Sequence, residues 1–147
     1  MNIDFDRSLL GVPHPSGTFE VTRDLILGFC RTTGETEPLY TDVAVARSAG
    51  YADLLAPPTL VMLLFRGAGR PNIHLNFGRQ RLQAGQSVES LAPIVAGDVL
   101  TGSTSLEEVY PKTGRSGTMV FVVWKVEAVN QRGEPVAVFR ESYAARE

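Results

Sequence analysis

Residues 57–65 read PPTLVMLLF, an apolar run with prolines at its start and the sequence Gly67-Ala68-Gly69 after it. Proline is accepted in the first turn of a helix and glycine commonly follows the last turn, so this pattern favours a helix. Because the run is apolar on every side, the helix must be surrounded by protein. It is too short to span a bilayer, and the curved face of a sheet is therefore its expected surroundings.

Four later segments can supply that sheet, because each is rich in β-branched residues and bounded by Gly, Pro or Asn. They are residues 86–91, 99–109, 119–130 and 136–144. In the third segment the neighbouring residues Val122 and Val123 place apolar side chains on opposite faces. A strand that is apolar on both faces is buried on both, so this strand is predicted to be central.

Turn and breaker residues divide these strands. Residues 130–133, NQRG, are typical of a hairpin turn, and Pro93 and Pro111 are predicted to end strands because proline cannot donate to a ladder. His74 is predicted to lie in a strand near the sheet edge, whereas His14, between two prolines, is predicted to lie in a surface loop.

The first half of the chain carries helical signals. A short strand is predicted at 18–21, after which Thr22 can cap a helix that Gly34 ends. Asp42 is the predicted cap of a second short helix at 43–49. Helices followed by strands predict an α+β fold with a sheet wrapped around one apolar helix.

Length and composition limit the classes of protein. A chain of 147 residues suits one domain, residues 1–147. The net charge of −2, with interspersed signs, argues against a nucleic-acid binder, and the N-terminus lacks the features of a signal peptide. The single cysteine, Cys30, excludes an internal disulfide and favours a cytoplasmic protein without a membrane anchor. Two distant histidines and one cysteine give no zinc spacing, so no metal or cofactor is expected.

Arginines form one local cluster in the sequence. The segment from residue 66 to residue 81 contains Arg66, Arg70, Arg79 and Arg81. Such a cluster is most often solvated surface, and that is the first interpretation here.

The sequence resembles the MaoC-like hotdog proteins, in particular the N-terminal half-domain of two-part dehydratases. The resemblance covers nearly the whole chain and rests on an ordered set of short motifs. These are GETEPLYTD at 34–42, Ala46, AGY at 49–51, APPT at 56–59, GQ at 85–86 and GD at 97–98. It implies a long helix wrapped by an antiparallel sheet, two such units per functional dimer, and R-specific hydration of 2-enoyl thioesters or the reverse dehydration.

Addition of water to a conjugated double bond requires a base, an acid and a hydrogen-bond donor for the thioester oxygen. In active members of the family the loop reads Gly-Asp-x-Asn-Pro-x-His, and a backbone N–H at the start of the central helix serves the oxygen. Here Glu35 occupies the Asp position, Tyr40 the His position, and Glu37 replaces the Asn.

These substitutions disfavour catalysis by this chain. Glu35 keeps a carboxylate on an arm about one methylene longer, which can misplace a reacting atom by roughly 1 Å. Tyr40 has an ordinary pKa near ~10 and is a poor proton-transfer group at neutral pH. Ala56-Pro57-Pro58 lies where active members have His-Gly before the helix, and proline has no N–H to donate.

The resemblance therefore implies a supporting half that shapes the acyl tunnel beside a catalytic MaoC-like partner chain. A self-sufficient homodimer with Glu35 as base stays open, as does a non-enzymatic acyl-CoA-binding module. A thioesterase ranks lower, because residues 56–62 contain no carboxylate.

The implied substrate is an acyl-CoA or acyl-carrier-protein thioester. Predicted substrate contacts are Pro58 and Thr59 at the start of the central helix, and Arg79 and Arg81, which can pair with phosphates of CoA. Gly85 is a further candidate, because a glycine inside a strand allows close approach of a ligand or another chain. The alternative for Gly85 is a β-bulge.

Overall fold

The structure, a computed structural model, describes residues 2–147. The helices are α1 (Arg23–Thr33), α2 (Pro38–Thr41), α3 (Val43–Ser48) and α4 (Pro58–Leu64), and a 3-10 turn (Arg7–Leu9) precedes them. The strands are β1 (His14–Glu20), β2 (Gln80–Ser90), β3 (Val99–Gly114), β4 (Gly117–Val129) and β5 (Pro135–Arg146). No helix among residues 2–147 is long and apolar enough to cross a membrane.

The strands form one antiparallel sheet in the order β1-β3-β4-β5-β2. β4 lies in the middle, as predicted from its two apolar faces, and the α+β fold class is confirmed. Helix α4 packs on one face of the sheet, where Val61 and Phe65 join Val126 and Phe139 in the main core cluster.

Helix α4 has only seven residues, whereas the resemblance implied a long central helix. The chain turns away because Gly67 and Gly69 both adopt a left-handed backbone, with φ of 70° and 71°. The helix is also not surrounded by protein on every side, since Leu63 remains 48% exposed. That part of the prediction is wrong for this chain taken by itself.

The predicted helix boundaries in the first half are confirmed closely. The Thr22 hydroxyl accepts a hydrogen bond from the Leu25 N–H at 3.1 Å, and Gly34 ends α1 with φ of 72°. The Asp42 carboxylate accepts from the Ala44 N–H at 2.9 Å and caps α3. These local signals persist because caps depend on residues next to each other in the chain.

The prediction that Pro111 ends a strand is wrong. β3 continues to Gly114, and Pro111 pairs with Val120 of β4. The pairing of β1 with β3 ends at His14 and Thr104, so β3 has a single neighbouring strand at Pro111. Proline is tolerated on such an edge, where its missing N–H removes no ladder bond.

Both histidine predictions are also wrong. β2 begins at Gln80, so His74 lies in the loop before it, with a left-handed φ of 50°. His14 begins β1 and is half-buried. Its Nε2 atom is buried and has no hydrogen-bond partner within residues 2–147.

The hairpin turn at 130–133 is confirmed. The Gly133 N–H donates to the Asn130 carbonyl at 2.9 Å, and the Asn130 side chain accepts from the backbone N–H groups of Arg132 and Glu134. The bulge interpretation of Gly85 is confirmed as well, because the register of β2 against β5 shifts between Gln83 and Gly85.

Candidate active site

A pocket of about 340 Å³ lies beside the start of helix α4. Its walls come from three parts of the chain. They are Tyr40 and Tyr51, then Leu55, Ala56 and Pro58, and finally residues 90–94, which comprise the last residue of β2 and the four that follow it. The pocket therefore brings together two positions that the sequence placed in one site, Tyr40 and Pro58.

Backbone hydrogen bonds hold these walls in a fixed arrangement. The Leu55 N–H donates to the Leu39 carbonyl at 3.0 Å, which ties the α2 loop to the segment before α4. The Ala56 N–H donates to the Ile94 carbonyl at 2.8 Å, which ties the same segment to the β2–β3 connection. The shape of the pocket is thus set by main-chain contacts and not by side-chain packing alone.

An ion pair fixes the segment before α4 against helix α1. The Nε and Nη2 atoms of Arg23 donate to the two carboxylate oxygens of Asp53 at 2.8 and 2.6 Å. The Leu54 N–H donates to Asp53 Oδ1 at 2.8 Å. The hydrogen bond from Arg23, aided by that from Leu54, lowers the pKa of Asp53 to about 2. Asp53 is therefore ionised at neutral pH and acts as a clamp.

Tyr40 is half-buried in α2 and faces the pocket. Burial raises the pKa of its hydroxyl above the ordinary value, and the negative charges of Glu35 and Glu37 raise it further. The side chain is therefore a neutral phenol at physiological pH. It can donate a hydrogen bond to a ligand, but it cannot serve as a base.

Glu35 is turned towards its own backbone. Its Oε1 atom accepts from the N–H groups of Thr36 and Glu37, both at 2.9 Å. Glu37 acts similarly at α2, where its side chain accepts from the Leu39 N–H at 3.4 Å. Among the residues that line the pocket, all within the described part of the chain, there is no Asp, Glu or His.

The start of α4 has lost two backbone donors. Pro57 precedes the helix without a side-chain cap, and Pro58 is its first residue. Neither proline has an amide hydrogen, as the sequence predicted. Thr59, exposed beside the pocket, is the first helical residue with an N–H. One potential donor to a thioester oxygen therefore remains, one position further along the helix.

The other predicted contact residues do not line this pocket. Arg81 lines a larger cleft beside residues 70–76, and Arg79 is exposed just before β2. Gly85 lies on β2 beside Ser142, whose hydroxyl donates to the Gly85 carbonyl at 3.4 Å. This chain alone thus leaves Arg79, Arg81 and Gly85 outside the Tyr40 pocket.

Sequence reasoning missed the wall formed by Tyr51 and residues 90–94. The bridge between Leu55 and Val95 places that connection beside α4, and it joins positions 40 residues apart. Pro93 marked the end of a strand but carried no signal of a pocket.

Cys30 is buried and unpaired, and burial raises the pKa of its thiol. It packs in the main core cluster as a small buried hydrophobic residue. Within residues 2–147 there is no group of three or more His, Cys, Asp or Glu side chains arranged to hold a metal ion.

The five-stranded antiparallel sheet around a short helix, with a pocket at the start of that helix, defines a hotdog-fold protein of the MaoC-like type. A family model described as FAS1-like, dehydratase domain region, matches residues 8–139. The chain therefore belongs to this family.

Relatives in actinobacteria are similar over most of their length. The UPF0336 protein of Streptomyces avermitilis is 31% identical in an alignment of 147 positions that covers 96% of this chain and 95% of that protein. The UPF0336 protein of Streptomyces griseus subsp. griseus is 35% identical in an alignment of 115 positions that covers 74% of this chain and 76% of that protein.

Solved structures share the fold at low identity. The truncated HadBC (3R-hydroxyacyl-ACP dehydratase) complex of Mycobacterium tuberculosis matches with a TM-score of 0.76 and 22% identity, over 95% of this chain and 99% of that chain. The ChsH1–ChsH2 complex of the same organism matches with a TM-score of 0.72 and 19% identity, over 93% and 88%. The MaoC-like dehydratase of Rhodospirillum rubrum matches with a TM-score of 0.70 and 23% identity, over 97% and 96%.

Proposed function

We propose that this chain is the supporting subunit of an R-specific 2-enoyl-thioester hydratase, or of the corresponding 3-hydroxyacyl-thioester dehydratase. In this role it forms one hotdog domain over residues 1–147 and shapes the acyl tunnel beside a catalytic MaoC-like partner. The partner supplies the base and the acid.

One observation carries the proposal: the site keeps its shape without a proton-transfer pair. The Glu35 carboxylate accepts hydrogen bonds from two backbone N–H groups and does not line the pocket. Tyr40, at the position where active family members have histidine, is a neutral phenol. Hydration needs a group that can take a proton from water near neutral pH. The walls are nevertheless held by main-chain hydrogen bonds, which suits a binding surface.

Two features support a partner chain. Strand β2 is an eleven-residue sheet edge, and all of its residues except Val88 are exposed. Long exposed edges favour pairing with another chain. The HadBC and ChsH1–ChsH2 structures, which share the fold, are each complexes of two different components. By analogy we favour a hetero-oligomer over a homodimer.

The substrate in this proposal is an acyl-CoA or acyl-carrier-protein thioester in the cytoplasm. The pocket walls of Leu55, Ala56 and residues 90–94 suit an acyl or pantetheine segment, with Pro58 and Thr59 beside the thioester. Arg79 and Arg81 would contact phosphates, and Gly85 would lie close to the partner along β2. The proposed hydration or dehydration would need no cofactor.

A second candidate is a homodimeric hydratase with Glu35 as base. It is favoured by one observation, that the charge of Glu35 adds to the effect of burial in raising the pKa of the pocket residue Tyr40. A rotation of the Glu35 side chain would have to break its two backbone hydrogen bonds before it could reach the pocket.

The proposal is tested by an assay of the purified chain on crotonyl-CoA and on a longer enoyl-CoA, alone and together with a MaoC-like chain that carries the Asp-x-Asn-Pro-x-His loop. We expect no hydration by the chain alone and a higher rate or a wider chain-length range for the pair than for the partner alone. Hydration by this chain alone would reject the supporting role in favour of the homodimer.

A further inference from the structure

A second and larger cleft, of about 620 Å³, lies between the loop of residues 70–76 and strands β4 and β5. Its polar and aromatic lining includes Arg70, His74, Arg81, Trp124 and Tyr143. It shares no lining residue with the Tyr40 pocket. Its volume falls within the roughly 300–1,000 Å³ that small-molecule sites occupy.

The loop that forms one wall of this cleft is held in place. The Asp6 N–H donates to the Ile73 carbonyl at 2.8 Å, and the Asn76 N–H donates to the Asp4 carbonyl at 3.0 Å. Ile73 is buried in a second core cluster with Trp124. The wall is therefore built on the N-terminal segment and is not a free loop.

His74 occupies an uncommon backbone conformation within this wall. Its φ of 50° is left-handed, and its N–H donates to the Asn72 side chain at 2.8 Å. A non-glycine residue in this region is strained, and such strain is concentrated at ligand sites. The geometry holds an exposed imidazole at the cleft.

The cleft carries an excess of positive charge. Arg66, Arg70 and Arg81 line one adjoining pocket together with a single carboxylate, Glu141. Arg70 Nη2 lies 2.7 Å from Glu141 Oε2, and Arg66 Nε lies 3.4 Å from Glu141 Oε1. Three guanidinium groups thus face one negative charge, and two positive charges remain uncompensated within this cluster.

Contacts within the chain hold the side chains of the two cleft arginines, Arg70 and Arg81, in fixed orientations before any ligand binds. The Nη1 atom of Arg81 donates to the carbonyls of Phe77 and Gly78 at 3.1 and 3.4 Å. These bonds use one of the three guanidinium nitrogens. Its guanidinium carbon lies 5.7 Å from the centre of the Tyr143 ring, and that of Arg70 lies 5.7 Å from the Trp124 ring. Arg70 Nε is buried and has no hydrogen-bond partner in the described chain. A buried donor without a partner calls for a water or a ligand.

We propose that this cleft binds the phosphate group of an organic phosphate ester, with Arg70 and Arg81 as the anion contacts and His74 at the rim. A planar guanidinium group held in a fixed position can donate two parallel hydrogen bonds to two oxygens of one phosphate. If the proposed function holds, on which this step rests, the natural source is either the nucleotide of CoA or the phosphopantetheine arm of a carrier protein. Arg70 then adds a phosphate contact to those proposed for Arg79 and Arg81.

The test uses intrinsic fluorescence, because Trp124 is the only tryptophan of the chain and lines the cleft. The purified full chain is titrated with inorganic pyrophosphate, adenosine 3′,5′-bisphosphate and 4′-phosphopantetheine. We expect a saturable change with at least one of these probes, and binding that weakens as salt is raised. A preference for the bisphosphate indicates the CoA nucleotide, and a preference for phosphopantetheine indicates the carrier-protein arm.

Variants then locate the site. Arg81→Gln and Arg70→Gln should each weaken binding about tenfold or more, the loss expected for one charge-assisted contact. Arg132→Gln, which removes a positive charge from the exposed turn after β4, outside the cleft lining, is the matched control and should bind as the natural chain does. Glu141→Gln should tighten binding, since it removes the carboxylate that competes with the phosphate for Arg70.

Circular dichroism checks that each variant is folded, and the exposed Arg81 position keeps the test valid if Arg70→Gln is unstable. The proposal is overturned if no probe gives a saturable change, or if Arg132→Gln weakens binding as much as Arg81→Gln. Because no acyl substrate is present, such a failure leaves the proposed function standing. If the assembled complex shows no hydration while the chain still binds the probes, the proposed function is rejected instead.

Discussion

The ring of Phe65 occupies the space beside Gly102 where any other residue would place its side chain. A Cβ atom built on Gly102 would lie well under 3.0 Å from ring carbons of Phe65. Phe65 is fully buried at the end of α4, with its ring against Phe19 at 5.0 Å and Phe139 at 6.2 Å between centroids. This contact sets how closely α4 approaches the sheet, and so it positions the pocket at the other end of the helix.

Gly102→Ala should therefore lower the free energy of unfolding by about 1–3 kcal/mol, the usual cost of overpacking a core. Urea denaturation followed by circular dichroism measures it. Gly114→Ala is the matched control, because a Cβ at the end of the same strand meets no atom within 4 Å. Equal stability of the two variants would contradict the packing role of Gly102.

The features of the fold that were predictable depend on neighbouring residues or on periodicity. Thr22, Gly34 and Asp42 bound their helices as predicted, and the two apolar faces of β4 identified the central strand. The errors came from tertiary context. Pro111 is accepted because β1 does not reach that part of β3, and a register between strands cannot be read from one strand alone.

The Arg23–Asp53 pair gives a pH-dependent prediction. The pKa of Asp53 falls from 3.8 to about 2 on folding, so its contribution to stability is present above pH 3.8. The contribution is lost as the pH falls through about 2. Asp53→Asn should thus be clearly less stable than the natural chain at pH 7, and the difference should shrink between pH 4 and pH 2.

Urea unfolding of both proteins at several pH values measures that difference. Asp24→Asn, which removes an exposed carboxylate from the same turn of α1, serves as the control and should show a smaller pH dependence. A difference for Asp53→Asn that is unchanged at pH 2 would mean that the ion pair does not stabilise the fold.

Assembly gives the next prediction. The exposed edge strand β2 should pair with another chain, and Leu82 of β2 is 47% exposed in the single chain. Leu82→Glu should therefore weaken association with little effect on the fold of the chain. Leu25→Glu, at a leucine of α1 that is 39% exposed, is the matched control.

Sedimentation velocity measures the oligomeric state of the natural chain and of each variant at micromolar concentration, each alone and mixed with the catalytic partner. A stable monomer under both conditions would reject the partner in the proposed function. A loss of association in Leu25→Glu alone would place the interface on α1.

Less of the candidate site than of the fold could be predicted. Tyr40 and Pro58, which the motif assigned to one site, line the same pocket, and both belong to short segments next to helix ends. The motif could not show that Glu35 folds back on Thr36 and Glu37, since that depends on the path of two backbone N–H groups. Nor could it show that the arginines at 66, 70 and 81 meet around Glu141, 60 or more residues away.

The last prediction decides between a supporting subunit and a self-sufficient enzyme. In the supporting role Glu35 only caps the backbone, so Glu35→Ala should leave kcat for hydration by the assembled complex nearly unchanged. Stability should fall by about 0.5–2 kcal/mol, the usual cost of losing a side-chain cap. Glu37→Ala, which removes the other capping carboxylate of the loop, should behave in the same way. If Glu35 is the base, Glu35→Ala should lower kcat by about 10²-fold or more with KM little changed, and Glu37→Ala should not, because only one of the two would remove a contact made in the transition state.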